Sequence, residues 1–136
     1  MRILLFTKEA GDTPNRRREI LEANFRDRGL ETFSTIDRLA RGLREPSEEA
    51  KIGILLIQDP QDLKRILSIQ NLFQDVPLII QVPDESAETL QMAHRLRPRY
   101  LSGAQDDFGT LLEVLRNMLN KGENQIHSPL QRNERR

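Results

Sequence analysis

Five short apolar runs, each followed by a segment of helical spacing, limit the fold of this chain more than any other property of its sequence. The runs are Ile3-Leu4-Leu5-Phe6, the β-branched stretch 31–36, residues 52–57, residues 76–82 and a weaker fifth at 99–102. An unbroken apolar run is what a parallel strand needs when helices cover both of its faces, whereas a half-exposed antiparallel strand alternates apolar with polar.

The intervening segments carry apolar residues at helical intervals. Residues 14–28 hold Ile20, Leu21 and Phe25, with Gly29 as a stop. Leu39, Ala40 and Leu43 predict a second helix ending near Pro46, and Leu63, Ile66, Leu67 and Phe73 a third. Ala87, Leu90, Ala93 and Leu96 predict a fourth, closed before Pro98. Leu111, Leu112, Leu115, Met118 and Leu119 predict a fifth, with Gly122 as its stop. Strand then helix, five times over, with short connections, predicts a (βα)5 doubly wound α/β fold of flavodoxin-like topology over residues 1–121. Residues 122–136 lose the periodicity and read as a flexible polar tail.

A chain of 136 residues is long enough for one sizeable core, and 37% hydrophobic with 31% charged residues is a globular balance. Lys and Arg number 21 and so do Asp and Glu, so no net field favours nucleic acid or an anionic membrane surface. Cysteine is absent, which removes thiolate chemistry and disulfides. With His94 and His127 as the only histidines, a zinc site is not expected. The apolar stretch at the N-terminus is too short for a signal-peptide core or a membrane span, which predicts a cytoplasmic protein.

Chemistry in a parallel α/β sheet belongs at the carboxyl ends of the strands. There the sequence places Thr7-Lys8-Glu9, Gln58-Asp59-Pro60, Val82-Pro83 and Ser102-Gly103-Ala104. The loop 9–14 lacks both the P-loop and the G-x-G-x-x-G spacing, so nucleotide binding is not expected. Thr13-Pro14 and Asp59-Pro60 have the form of a helix cap followed by proline at the first helical position. His94 lies in the fourth helical pattern with no readable catalytic partner.

Over roughly residues 1–120 the spacing of the five units resembles the receiver domain of two-component response regulators. That resemblance assigns a metal-binding acidic pair to the end of the first strand, a phosphoacceptor aspartate to the third, a hydroxyl to the fourth and a lysine to the fifth. Here those positions fall on Thr7 and Lys8, or at best on Lys8 and Glu9, on Gln58 with Asp59 one place late, on Val82, and on Gly103 and its neighbours. All four depart from the pattern. Loss of the second metal carboxylate, the hydroxyl and the lysine together removes positioned charge on which phosphoryl transfer depends.

The expectation is a degenerate pseudo-receiver: no enzyme, no catalytic, cofactor or metal residue, and no small-molecule substrate. It would act in signal transduction as a protein-interaction module independent of phosphorylation, binding a signalling partner or a second copy of itself through a helix face. Arg16, Arg17 and Arg18 offer one surface, although Glu22 is placed to pair with Arg18 at i,i+4. By resemblance Met92, Arg95, Arg97, Tyr100, Asp107, Glu113 and Asn117 offer another, with Tyr100 at the place of an aromatic switch residue or simply packing at the sheet edge. Two alternatives remain open: an active receiver phosphorylated at a displaced Asp59, and an α/β enzyme with its site in loops 7–13, 58–62 and 82–86.

Overall fold

The apolar runs form the five strands of one parallel sheet. In the computed structural model, which describes residues 1–8 and 12–127, they are β1 (Arg2–Thr7), β2 (Leu30–Phe33), β3 (Lys51–Leu56), β4 (Leu78–Val82) and β5 (Tyr100–Gly103). The order across the sheet is β2-β1-β3-β4-β5, and every neighbouring pair is parallel. The helices are α1 (Asp12–Phe25), α2 (Ile36–Arg44), α3 (Pro60–Leu67), α4 (Ala87–Arg95) and α5 (Phe108–His127). Short 3-10 turns follow α1 at Arg26–Arg28 and α3 at Gln70–Phe73. This is the doubly wound, flavodoxin-like α/β fold that the alternation predicts.

Side chains alternate between the faces of a strand, and both faces here are apolar. On one face Leu4, Phe6, Leu55, Ile57, Leu78, Ile80 and Val82 join Leu39 and Leu43 of α2, Leu63 and Ile66 of α3, and Ala93 of α4 in a single buried cluster. The residues of opposite parity, Ile3, Leu5, Ile54, Leu56 and Ile79, are also buried, and α1 contributes Leu21 and Phe25 to the core. Burial on both sides is why the strands read as continuous runs rather than alternating ones. Close packing of α2 depends on Gly42, where a Cβ would lie 2.8 Å from the ring of Phe33 and 3.1 Å from Leu4.

Met1–Asp106 is one compact unit holding the whole sheet, and α5 belongs to a second that begins at Asp107. In α5 the buried residues Leu111, Leu115 and Leu119 recur every four positions, as one helix face requires. The Asp107 carboxylate accepts from the Gly109 amide at 3.2 Å and so starts this helix.

Several boundaries differ from the sequence expectation; β4, for one, begins at Leu78 rather than at 76, after Pro77. β2 ends at Phe33 rather than at 36, because Thr35 Oγ1 accepts from the Arg38 amide at 3.2 Å and caps α2, which takes Ile36. α1 begins at Asp12 instead of capping at Thr13, since a proline anywhere in the first turn lacks only an N–H that has no intrahelical partner. Phe73 falls in the separate 3-10 turn after α3. α5 continues through Gly122 to His127, because a helical glycine costs about 1 kcal/mol and does not by itself stop a helix. Of the expected tail, residues 128–136 lie outside the described residues.

Candidate functional site at the strand carboxyl ends

The chain winds outward from β1 to β2, then returns to the other side of β1 as β3, so the switch point of this sheet lies between β1 and β3. Ligands of open parallel sheets bind in the crevice beyond that point. Thr7 closes β1 opposite Leu56 of β3, and Ile57 and Gln58 follow directly. Gln58 Nε2 donates to Thr7 Oγ1 at 3.1 Å, drawing the two strand ends together. Thr7 is buried, and Gln58 Oε1 is buried with no hydrogen-bond partner.

Lys8 comes next along the chain and finds its counter-charge on α3. Its Nζ lies 2.9 Å from Oδ1 of Asp62, which is only 1% exposed; Asp62 Oδ2 has no hydrogen-bond partner. Asp62 lies in the first turn of α3, where the helix dipole favours a negative charge. A buried charge is costly unless it is paired, and Lys8 supplies the counter-charge.

Asp59 does something different. Its carboxylate accepts from the Gln61 amide at 2.9 Å, its backbone is extended and Pro60 follows at the first helical position. This exposed aspartate is the N-cap of α3, the role its Asp-Pro sequence suggests.

At the other end of the crevice a residue from α1 reaches across. Arg17 donates through Nη1 to Gln81 Oε1 of β4 and through Nη2 to the Ala104 carbonyl at 2.9 Å. Arg17, Gln58, Gln81, Pro83, Ala104 and Gln105 border a small cleft of about 310 Å3. Val82 and Gly103 close β4 and β5 as register partners, both buried, and Ser102 Oγ is buried without a hydrogen-bond partner. In the following loop Asp84 is held below the usual carboxylate range by hydrogen bonds from the Ser86 hydroxyl and amide and the Thr89 hydroxyl.

These groups are amides, hydroxyls, a guanidinium and a paired lysine. With the carboxylates of Asp59 and Asp62 engaged at α3, they offer hydrogen bonds and fixed charge: an amide stands at position 58, and the Lys8 ammonium occupies the end of β1. Among the described residues no group of three His, Asp or Glu side chains is placed to hold a metal ion. No helix among the described residues is long and apolar enough to cross a membrane.

No family model, no curated protein and no solved structure matches this chain.

The structure therefore brings Thr7, Lys8 and Gln58 together, with Val82 and Gly103 at the ends of the neighbouring strands, and turns Asp59 to its cap. The arginine triplet is divided: Arg16 is exposed, Arg17 turns inward to Gln81, and Arg18 pairs with Glu22 at 3.2 Å. It is not one surface. Met92 is 8% exposed and belongs to the core cluster, so it is not displayed for docking. Arg95, the last residue of α4, and Arg97 beyond it are exposed, and Tyr100 is half-buried beside Ile79. Asp107 serves α5 as its cap, while Glu113 and Asn117 lie exposed one turn apart on that helix. Asp62 and Gln81 were missed as site residues. A polar residue inside an apolar run, and an acid in the first turn after a strand, were the available signals.

Proposed function

We propose that this chain is a receiver-like interaction module of cytoplasmic signal transduction that works without phosphorylation. The observation that carries the reading is the Lys8–Asp62 ion pair, formed where an active receiver would place a metal-binding carboxylate. The Gln58–Thr7 hydrogen bond supports it, since it puts two neutral groups at the positions of an acceptor aspartate and a metal ligand. With this end of the sheet cross-linked in the resting protein, a fixed helix face is left to engage a signalling protein or a second copy.

The test is incubation with Mg²⁺ and a small acyl phosphate, followed by intact-mass measurement. The unmodified mass is the expected result for the native chain and for Asp59→Ala alike. A phosphoryl adduct on the native protein that disappears in Asp59→Ala would overturn the proposal in favour of an active receiver.

A further inference from the structure

On the α2 and α3 side of Lys8 the molecule has a second, larger cleft, of about 680 Å3. Four cations line it: Lys8 from the end of β1, Arg41 and Arg44 from α2, and Arg65 from α3. Against them stand two acids, Asp37 and Asp62, in a chain whose formal net charge is zero. Lys8 is paired with Asp62, but Arg41, Arg44 and Arg65 are exposed and make no ion pair among the described residues. Of the arginines elsewhere, Arg2 pairs with Glu31 and Glu45, and Arg18 and Arg26 pair with Glu22, while Arg16, Arg38, Arg95, Arg97 and Arg99 are exposed without an ion pair among the described residues; what sets Arg41, Arg44 and Arg65 apart is that they border one cleft. Three unpaired guanidinium groups around one cleft make a local excess of positive charge that the composition conceals.

Asp62 supplies a second, independent observation. It lines the cleft, it is almost wholly buried, and its Oδ2 lacks a hydrogen-bond partner. Buried and already paired with Lys8, it adds little negative charge at the mouth of the cleft to offset the arginines. Ile36, Ala40 and Ile69 add apolar surface to the same cleft.

We infer that this cleft is the docking site for an acidic peptide segment of a partner protein. Its carboxylates meet Arg41, Arg44 and Arg65, and an apolar side chain covers Ile36 and Ile69. The arrangement of charge favours a peptide over a small anion. Phosphate sites gather buried donors and backbone amides around one point, whereas these arginines are exposed and distributed over two helices. Arginine at the rim of an apolar patch is also the composition of a protein interface. The inference deepens the module reading and rests on it, yet the two fail separately, because an adduct on Asp59 would leave peptide binding at this cleft unaffected.

The experiment pans a displayed library of random ten-residue peptides against the full chain, then measures the enriched peptides by fluorescence anisotropy and by backbone amide shifts. Enrichment of acidic sequences that shift amides of α2 and α3 is expected, with affinity reduced at least about tenfold in an Arg41→Glu, Arg44→Glu, Arg65→Glu variant. A control with the same charge change, Arg16→Glu, Arg95→Glu, Arg99→Glu, should change affinity less than about threefold, since it alters only long-range attraction. Serine at positions 41, 44 and 65, with circular dichroism to confirm folding, separates lost contacts from repulsion. Absence of enrichment, enrichment of sequences without acidic residues, or equal loss in the control would overturn the inference. So would ATP or inorganic phosphate shifting the same amides and displacing the peptides at comparable concentration, which would make this a small-anion site.

Discussion

Replacing Lys8 by methionine keeps most of the side-chain volume and removes the only charge that Asp62 is paired with among the described residues. At the observed 2.9 Å, two unit charges attract by about 1.4 kcal/mol at the dielectric constant of water and by about 5.7 kcal/mol at an effective value of about 20. The Lys8 side chain is 42% exposed and that of Asp62 is 2% exposed, so water screens one partner and hardly reaches the other. Discounting for that screening places the cost of Lys8→Met at about 2–3 kcal/mol, below the range for fully buried pairs. The reverse change is milder. In Asp62→Asn the lysine rehydrates, and the loss is the first-turn charge and one hydrogen bond, about 1 kcal/mol. The double variant has no stranded charge and should fall no more than about 1.5 kcal/mol below the native protein. Urea denaturation followed by circular dichroism gives all four stabilities, with an unchanged denaturant slope as the sign that the folded state is intact. Equal single costs that add in the double variant to within about 0.5 kcal/mol would refute the coupling.

Three further outcomes follow from the backbone and the loops. Gly29 ends the turn after α1 at φ 90°, and a Cβ there would lie 2.5 Å from the Met1 carbonyl oxygen, so Gly29→Ala should lose about 2–3 kcal/mol in the same denaturation assay. Arg97 holds φ 54° after α4, and Arg97→Gly should gain up to about 1 kcal/mol, read as a raised Tm. The Asp84 carboxyl should titrate below the ordinary carboxylate value by NMR, and Ser86→Ala should raise its midpoint. Because the folded value is the lower one, the stability it contributes is present above the ordinary carboxylate range and is lost as pH falls through the lowered value.

What the sequence disclosed was the part governed by local rules. Strand-length runs such as 52–57 and helix faces such as Leu111, Leu115 and Leu119 follow from burial on repeating periods, and Asp59-Pro60 follows from cap chemistry, so all three were readable. The site was half readable. Thr7, Lys8 and Gln58 could be placed at strand ends by counting, but that Lys8 would meet Asp62 depends on how α3 packs against β1, which no spacing encodes. Arg17 is the clearest case. On the linear chain it is the middle of a charged triplet, and only the wrapping of α1 over the sheet delivers it to Gln81 and Ala104. The paired fate of Arg18 was visible because Glu22 is one helical turn away. The unpaired arginines of α2 and α3 were not visible, since a free cation and a paired one have the same sequence.

The reach of Arg17 also bears on the order in which the chain assembles. Gln81 and Ala104 lie 64 and 87 positions away from it, so the first hydrogen bond needs β4 in place and the second needs the end of β5. Contacts of such sequence separation come late, after the loop-closure entropy has been met by nearer pairings such as β1 with β2. An interaction absent from the transition state acts on the rate of unfolding and leaves the rate of folding almost unchanged. The guanidinium that spans the strand ends should therefore act as a latch: in stopped-flow kinetics, Arg17→Met is expected to raise the unfolding rate and leave the folding rate almost unchanged.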